Sequence, residues 1–233
     1  MGRRIWLFLL MLLFGALGIL LWPEESKPLP EFTTPVQPTR KNTPTEAVGF
    51  SLPYTPENWG LVVEELVCYD GPYIEDGTNT PVSDVAGIVL HNAGERGISF
   101  AVLALEQGGR TTYFTVTWLP PGERVLVLAM QRAVYSNEPV TECRVLGIRW
   151  DDFASAPVSV QICPEGGLEI TNLTNSYQEE ISLRLKDYRE EYGMLFGGIT
   201  QCIKVPVLPP GEVCLLYPED FVSETARLVA KVK

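Results

Sequence analysis

GIVLHNAGERGISFAVLALEQ at 87–107 lies over GLEITNLTNSYQEEISLRLKD at 167–187 with a constant offset of 80. The overlay puts Asn92 on Asn172, and then Ala101, Leu103 and Leu105 on Ile181, Leu183 and Leu185. Apolar residues at every second position make one face of a β-strand, so both stretches predict the same element with the same side turned to a core. Farther on, Phe114, Val116 and Trp118 fall on Ile203, Val205 and Val207 at an offset of 89, so the second stretch carries nine extra residues around EYGMLFGGI. WLPPGE at 118–123 then meets VLPPGE at 207–212, and VTECRVLGIRW at 140–150 meets VSETARLVAKVK at 222–233. Proline presets φ at one turn position and glycine supplies a positive φ beyond it, so each Pro-Pro-Gly reads as the same tight turn between strands. Two prolines are too few for the spacing of a polyproline ligand.

From residue 57 onward the chain consists of short runs rich in Val, Ile, Leu, Thr and aromatics, broken by Gly, Pro and Asn. That is an all-β signature. An amphipathic strand must cover its apolar face, and a second sheet does so within one domain. The expectation is therefore two tandem antiparallel β-sandwiches, at 57–152 and 153–233. The order of strand with Asn, alternating strand, strand with L-x-PG-E and closing strand resembles that of bacterial immunoglobulin-like adhesion and spacer modules. The resemblance implies an immunoglobulin-like fold with a binding or spacing role, and it carries over no catalytic residue.

The N-terminus belongs to neither repeat. MGRR precedes IWLFLLMLLFGALGILLW at 5–22, an uncharged run whose helix, at ~1.5 Å per residue, would nearly span a bilayer. No small-x-small cleavage site closes it, so an uncleaved signal anchor is expected. Arg3 and Arg4 before the run and Glu24 and Glu25 after it place residues 1–4 in the cytoplasm and the rest of a single-pass membrane protein outside. Residues 23–56, dense in Pro and Thr, read as an extended stalk. Removing Arg3 and Arg4 from the formal charge of −11 leaves −13 on residues 23–233. Such a surface disfavours nucleic acid.

Residues with chemical capacity are sparse. Between Cys68 and Asn92 there are about 15 more positions than between Cys163 and Asn172, roughly YDGPYIEDGTNTPVSDV. Within this insertion Asp70, Glu75, Asp76 and Asp84 offer oxygens to a calcium ion, but their spacing matches no EF-hand and a solvated acidic loop is the favoured reading. Five cysteines lie beyond the anchor, at 68, 143, 163, 202 and 214. Cys68 and Cys143, on the first and last strands of the first repeat, form the candidate disulfide. Cys202 and Cys214 flank the second turn without matching hairpin register, and an odd count leaves one thiol over. His91, the lone histidine, sits out of phase with Ile88 and Leu90 and should point outward. No nucleophile–base motif, P-loop or zinc spacing is present, and no cofactor is implied. NLT at 172–174 is a glycosylation sequon only for a eukaryotic secretory pathway.

The sharpest contrast is between the outward faces. The second repeat presents Glu169, Glu180, Ser182 and Arg184, as a solvated sheet does, where the first presents Val89, Phe100, Val102 and Ala104. Either the chain covers those four residues itself, or they form an apolar interaction face. Both readings make Phe100→Glu more damaging than Glu180→Phe. The functional expectation is a non-enzymatic cell-envelope protein whose sandwiches hold a protein or cell-wall partner or act as a spacer. The alternative is a secreted two-domain chaperone or an accessory domain of an envelope enzyme.

Overall fold

A computed structural model describes residues 50–56, 59–218 and 224–233. The expected anchor at 5–22, the N-terminal tetrapeptide and most of the stalk lie outside the described residues. Among the described residues no helix is long and apolar enough to cross a membrane.

Among the described residues twelve strands carry the fold: β1 (Leu61–Tyr73), β2 (Thr80–Asn92), β3 (Gly97–Gln107), β4 (Arg110–Leu119), β5 (Arg124–Leu128), β6 (Val140–Asp151), β7 (Val158–Ile162), β8 (Leu168–Asn172), β9 (Ser182–Arg189), β10 (Met194–Lys204), β11 (Val213–Leu216) and β12 (Ala226–Val232). They form a six-stranded sheet ordered β1-β2-β5-β10-β9-β12 and two three-stranded sheets, β4-β3-β6 and β11-β8-β7. The all-β layering is consistent with a β-sandwich. Strands β1 to β6 are ordered 1-2-5 and 4-3-6; strands β7 to β12, counted in the same way, repeat both orders. The six-stranded sheet takes three strands from each half and is closed by a two-residue parallel pairing, Leu195 with Val125 and Phe196 with Leu126.

Two cores lie between the layers. The alternating residues Ala101, Leu103 and Leu105 are buried in the first, and Ile181, Leu183 and Leu185 in the second. The first core also takes Met194, Leu195 and Phe196 from β10, so the N-terminal half is completed by the C-terminal one. Residues 50–56 correct the stalk boundary. Phe50, Leu52 and Tyr54 alternate as a strand does, pack on the first core, and Tyr54 exchanges two 2.8 Å backbone hydrogen bonds with Val63.

The shared asparagine explains why the turns recur. Asn92 Nδ2 donates to the carbonyls of Arg96 (2.8 Å) and Leu119 (3.1 Å), and Asn172 Nδ2 to those of Ser176 (2.8 Å), Leu208 (3.0 Å) and Pro209 (2.9 Å). Their backbone N–H groups donate to Glu123 and Glu212, the last residues of the two turns, both at 3.0 Å. Each asparagine thus satisfies carbonyls of its own Pro-Pro-Gly turn that burial would otherwise leave unpaired. Gly122 and Gly211, at φ +73° and +69°, supply the left-handed residue those turns need. Asn172 is also the sequon residue, and its amide is buried and fully bonded in this lock.

Candidate functional site

The two halves differ by two insertions, and the structure brings these together. The first is not a loop. It lengthens β1 and β2 to 13 residues each, against five each for β7 and β8, and its tip at 74–79 reaches β10. The second insertion is the part of β10 that meets this tip. Between Phe196 and Gln201 the pairing of β10 with β9 is interrupted by a bulge. A bulge unpairs backbone groups, and these need partners once buried.

Two charged side chains supply the partners. The Glu75 carboxylate accepts hydrogen bonds from the N–H groups of Gly198 (2.9 Å) and Ile199 (3.1 Å), and from Leu128 of β5 (2.8 Å). From the other side Lys186 Nζ donates to the carbonyls of Gly197 (2.8 Å), Gly198 (2.6 Å) and Ile199 (3.3 Å). A Cβ on Gly198 would stand 1.9 Å from the Thr115 carbonyl oxygen, so only glycine fits this crossing. Thr200 Oγ1 donates to the Thr117 carbonyl and accepts from Thr117 Oγ1, both at 2.8 Å. Burial pushes the Lys186 ammonium down to about 7, opposed by the Glu75 charge. Burial also raises Glu75, opposed by its three N–H donors and by Lys186. The pair therefore holds one charge-assisted backbone crossing between the halves.

The first turn docks beside this crossing. Trp118 lies 4.8 Å from the Arg184 guanidinium and 5.0 Å from the Phe153 ring. Trp118 and Phe153 have φ of +50° and +47°, values that non-glycine residues hold only where the surroundings impose them. Glu123 of the same turn pairs with Arg227 of β12 at 2.7 Å. The outward side of β9 is therefore not the solvated face expected of Arg184: Arg184 is half-buried under Trp118 and Lys186 is buried outright. Lys186 continues the outward phase of Ser182 and Arg184, which was the available signal for it.

The expected calcium ligands scatter. Asp70 Oδ1 accepts from the Asp84 N–H (2.8 Å), and Asp84 Oδ1 accepts from Cys68 Sγ (3.5 Å). Asp76 accepts from the Thr78 hydroxyl and N–H and from Arg132, and these bonds, with the two to Thr78 first, lower its pKa to about 2. Among the described residues no three acidic, histidine or cysteine side chains are grouped to hold a metal. The candidate disulfide is corrected: no bridge joins Cys68 to Cys143, and both are buried. They stand on β1 and β6, in different sheets rather than on neighbouring strands. His91 does point outward, half-exposed, with Nδ1 3.2 Å from Glu64.

The chain matches no family model, no curated protein and no solved structure. The four candidate interaction residues do not share a face. Val89 is on β2, paired between Glu65 and Leu126, and is buried. Phe100, Val102 and Ala104 are on β3 in the other sheet, where Ala104 is buried, Val102 half-buried and Phe100 exposed, 6.0 Å from the Arg149 guanidinium. Exposed Tyr113 and Leu146 sit on the flanking strands β4 and β6, and Arg144 of β6 pairs with Glu106 of β3 at 2.7 Å. A second apolar stripe, absent from the sequence expectations, runs along β11 and the residue that follows it, where Val213, Leu215 and Tyr217 are 55%, 53% and 68% exposed.

Proposed function

We propose that the chain is a non-enzymatic cell-envelope protein: an anchor at 5–22, a short stalk, and two immunoglobulin-like sandwiches held outside the membrane as a single rigid body that binds a protein or cell-wall partner. One observation carries this reading. The most chemically capable side chains, Glu75 and Lys186, are engaged with backbone groups at the joint, whereas large apolar side chains stand exposed on strand faces. That distribution suits presentation and binding rather than bond chemistry. The single-pass topology rests on the uncharged run and the flanking charges, and the immunoglobulin-like assignment on the repeated strand order together with the asparagine-locked turns.

The test is a photo-crosslinking amino acid at position 100 in the full-length protein in its own membranes. The expected result is a discrete crosslinked protein or glycan adduct, lost when Phe100 stays in place and the crosslinker is moved to position 180. Crosslinking that is equal at 100 and 180, or absent from both, removes the Phe100 face from the proposal. A C-terminal half protected from protease in right-side-out cells would overturn the topology.

A further inference from the structure

The hydrogen-bond register makes β5 and β11 strictly comparable. Asn92 bonds Glu123 and Asn172 bonds Glu212, so position 123 corresponds to 212, 126 to 215 and 128 to 217. In an antiparallel ladder successive residues turn their backbone groups alternately toward the partner strand and away from it. Counting from the bonded glutamates, Leu126 and Leu128 turn theirs away from β2, and Val213 and Leu215 turn theirs away from β8. On β5 this outer row is occupied: Phe196 of β10 stands opposite Leu126, and the Leu128 N–H reaches Glu75. Leu126 and Leu128 are also buried. On β11 the only strand paired among the described residues is β8, and the corresponding side chains are exposed. The flanking contacts follow suit. Trp118 and Glu123 rest on Arg184 and Arg227, while their counterparts Val207 and Glu212 are exposed.

We propose that β11 is an acceptor edge for a β-strand supplied by another protein. The strand would run parallel to Val213–Leu216, as β10 runs parallel to β5. It would lay apolar side chains along Val213, Leu215 and Tyr217 and bring a cation to Glu212, as Arg227 comes to Glu123. This goes beyond the binding role proposed above and does not depend on the Phe100 face. The VCLL strand carries neither the charge nor the proline with which natural edges are protected from pairing, and edge addition is an established mode of strand recognition. A second copy of the chain is a poor donor. Its β10 edge is already paired with its own β5, its β4 lacks the nine extra residues that do the docking, and its acidic body offers like charge. The short β7–β8 hairpin provides no counterpart of Glu75, so the edge and the apolar stripe must carry the contact.

The experiment uses the full-length chain in detergent micelles and, as probe, a fluorescent peptide copying residues 192–199 with two lysines appended. Saturable anisotropy is expected, weakened at least about tenfold by Leu215→Pro, which removes an outward N–H while leaving the ladder with β8 intact. Leu215→Glu, an exposed substitution, serves if the proline variant melts early. Glu212→Lys should weaken binding less and flatten its salt dependence. No saturable binding to the unmodified chain, or binding indifferent to both Leu215 variants, overturns the proposal. So does a concentration-dependent dimer abolished by Leu215→Glu, which would make a second copy the occupant. None of these outcomes bears on crosslinking from position 100.

Discussion

WLPPGE and VLPPGE are the same turn held by the same asparagine lock, yet one is an anchor and the other is bare. Trp118 and Glu123 rest on Arg184 and Arg227; Val207 and Glu212 face solvent. The backbone solution is shared, and the difference comes from the neighbours that two insertions bring to the first turn. A repeated motif therefore reports how each half is built, and the residues that break the repeat report how the halves are joined.

The largest expected effect comes from destroying the crossing that only one half has. Gly198→Val would drive side-chain atoms into the Thr115 carbonyl, where even a Cβ stands at 1.9 Å, and should cost about 4 kcal/mol or more. Denaturant unfolding would then show either a large loss of stability or two transitions in place of one; a single unchanged transition refutes the joint. Next is Lys186→Met, which abandons three backbone carbonyls, two of them buried, and Glu75, for about 3 kcal/mol. Its pH signature is distinctive. The folded Lys186 pKa is depressed from 10.5 to about 7, so between those values the unfolded chain binds the extra proton and stability rises with pH. From pH 7 to 8, below the midpoint of free thiols and phenols, unfolding free energy should rise by about 1 kcal/mol in the unmodified chain and stay nearly flat in Lys186→Met. Equal slopes in the two proteins would remove Lys186 as the cause.

The shared lock should respond alike in both halves. Asn92→Ala and Asn172→Ala each strand buried carbonyls and should each cost about 2–3 kcal/mol; a difference of more than about 1 kcal/mol would mean that the two locks are not equivalent. The smallest effect exchanges the turns. Trp118→Val should lose about 1–2 kcal/mol through the Arg184 and Phe153 contacts, and Val207→Trp should change stability by less than about 0.5 kcal/mol. If the two exchanges are symmetric in differential scanning calorimetry, the first turn is not an anchor.

The strands and both cores were legible because Ala101, Leu103, Leu105 and their counterparts alternate, and alternation follows directly from the strand repeat. The insertions were legible as mismatched spacing. Their meeting was not, because nothing local in EYGMLFGGI says that its bulge will need a carboxylate from position 75. The charges of β9 were misread for a related reason: an outward position is solvated only if no other layer lies over it, and one strand cannot disclose what lies over it. Phe50, Leu52 and Tyr54 were hidden by the proline-rich composition around them. Gly71, Pro72 and Pro81 disguised strand as loop, although Pro72 and Pro81 stand opposite each other in the hairpin, beyond the reach of β5, where missing N–H groups are tolerated.

The residues of β10 that fill the first core also set a timetable. The chain is made from its N-terminus, so β1 to β6 must wait for 194–196 before their core is complete and the edge of β5 is covered. A nascent chain halted at the midpoint would carry an uncapped, hydrophobic sheet edge, the kind of surface on which aggregation begins. The halves thus mature as one cooperative unit despite being laid down in sequence, and a fragment cut at the repeat boundary should be the less soluble the closer it stops to β6.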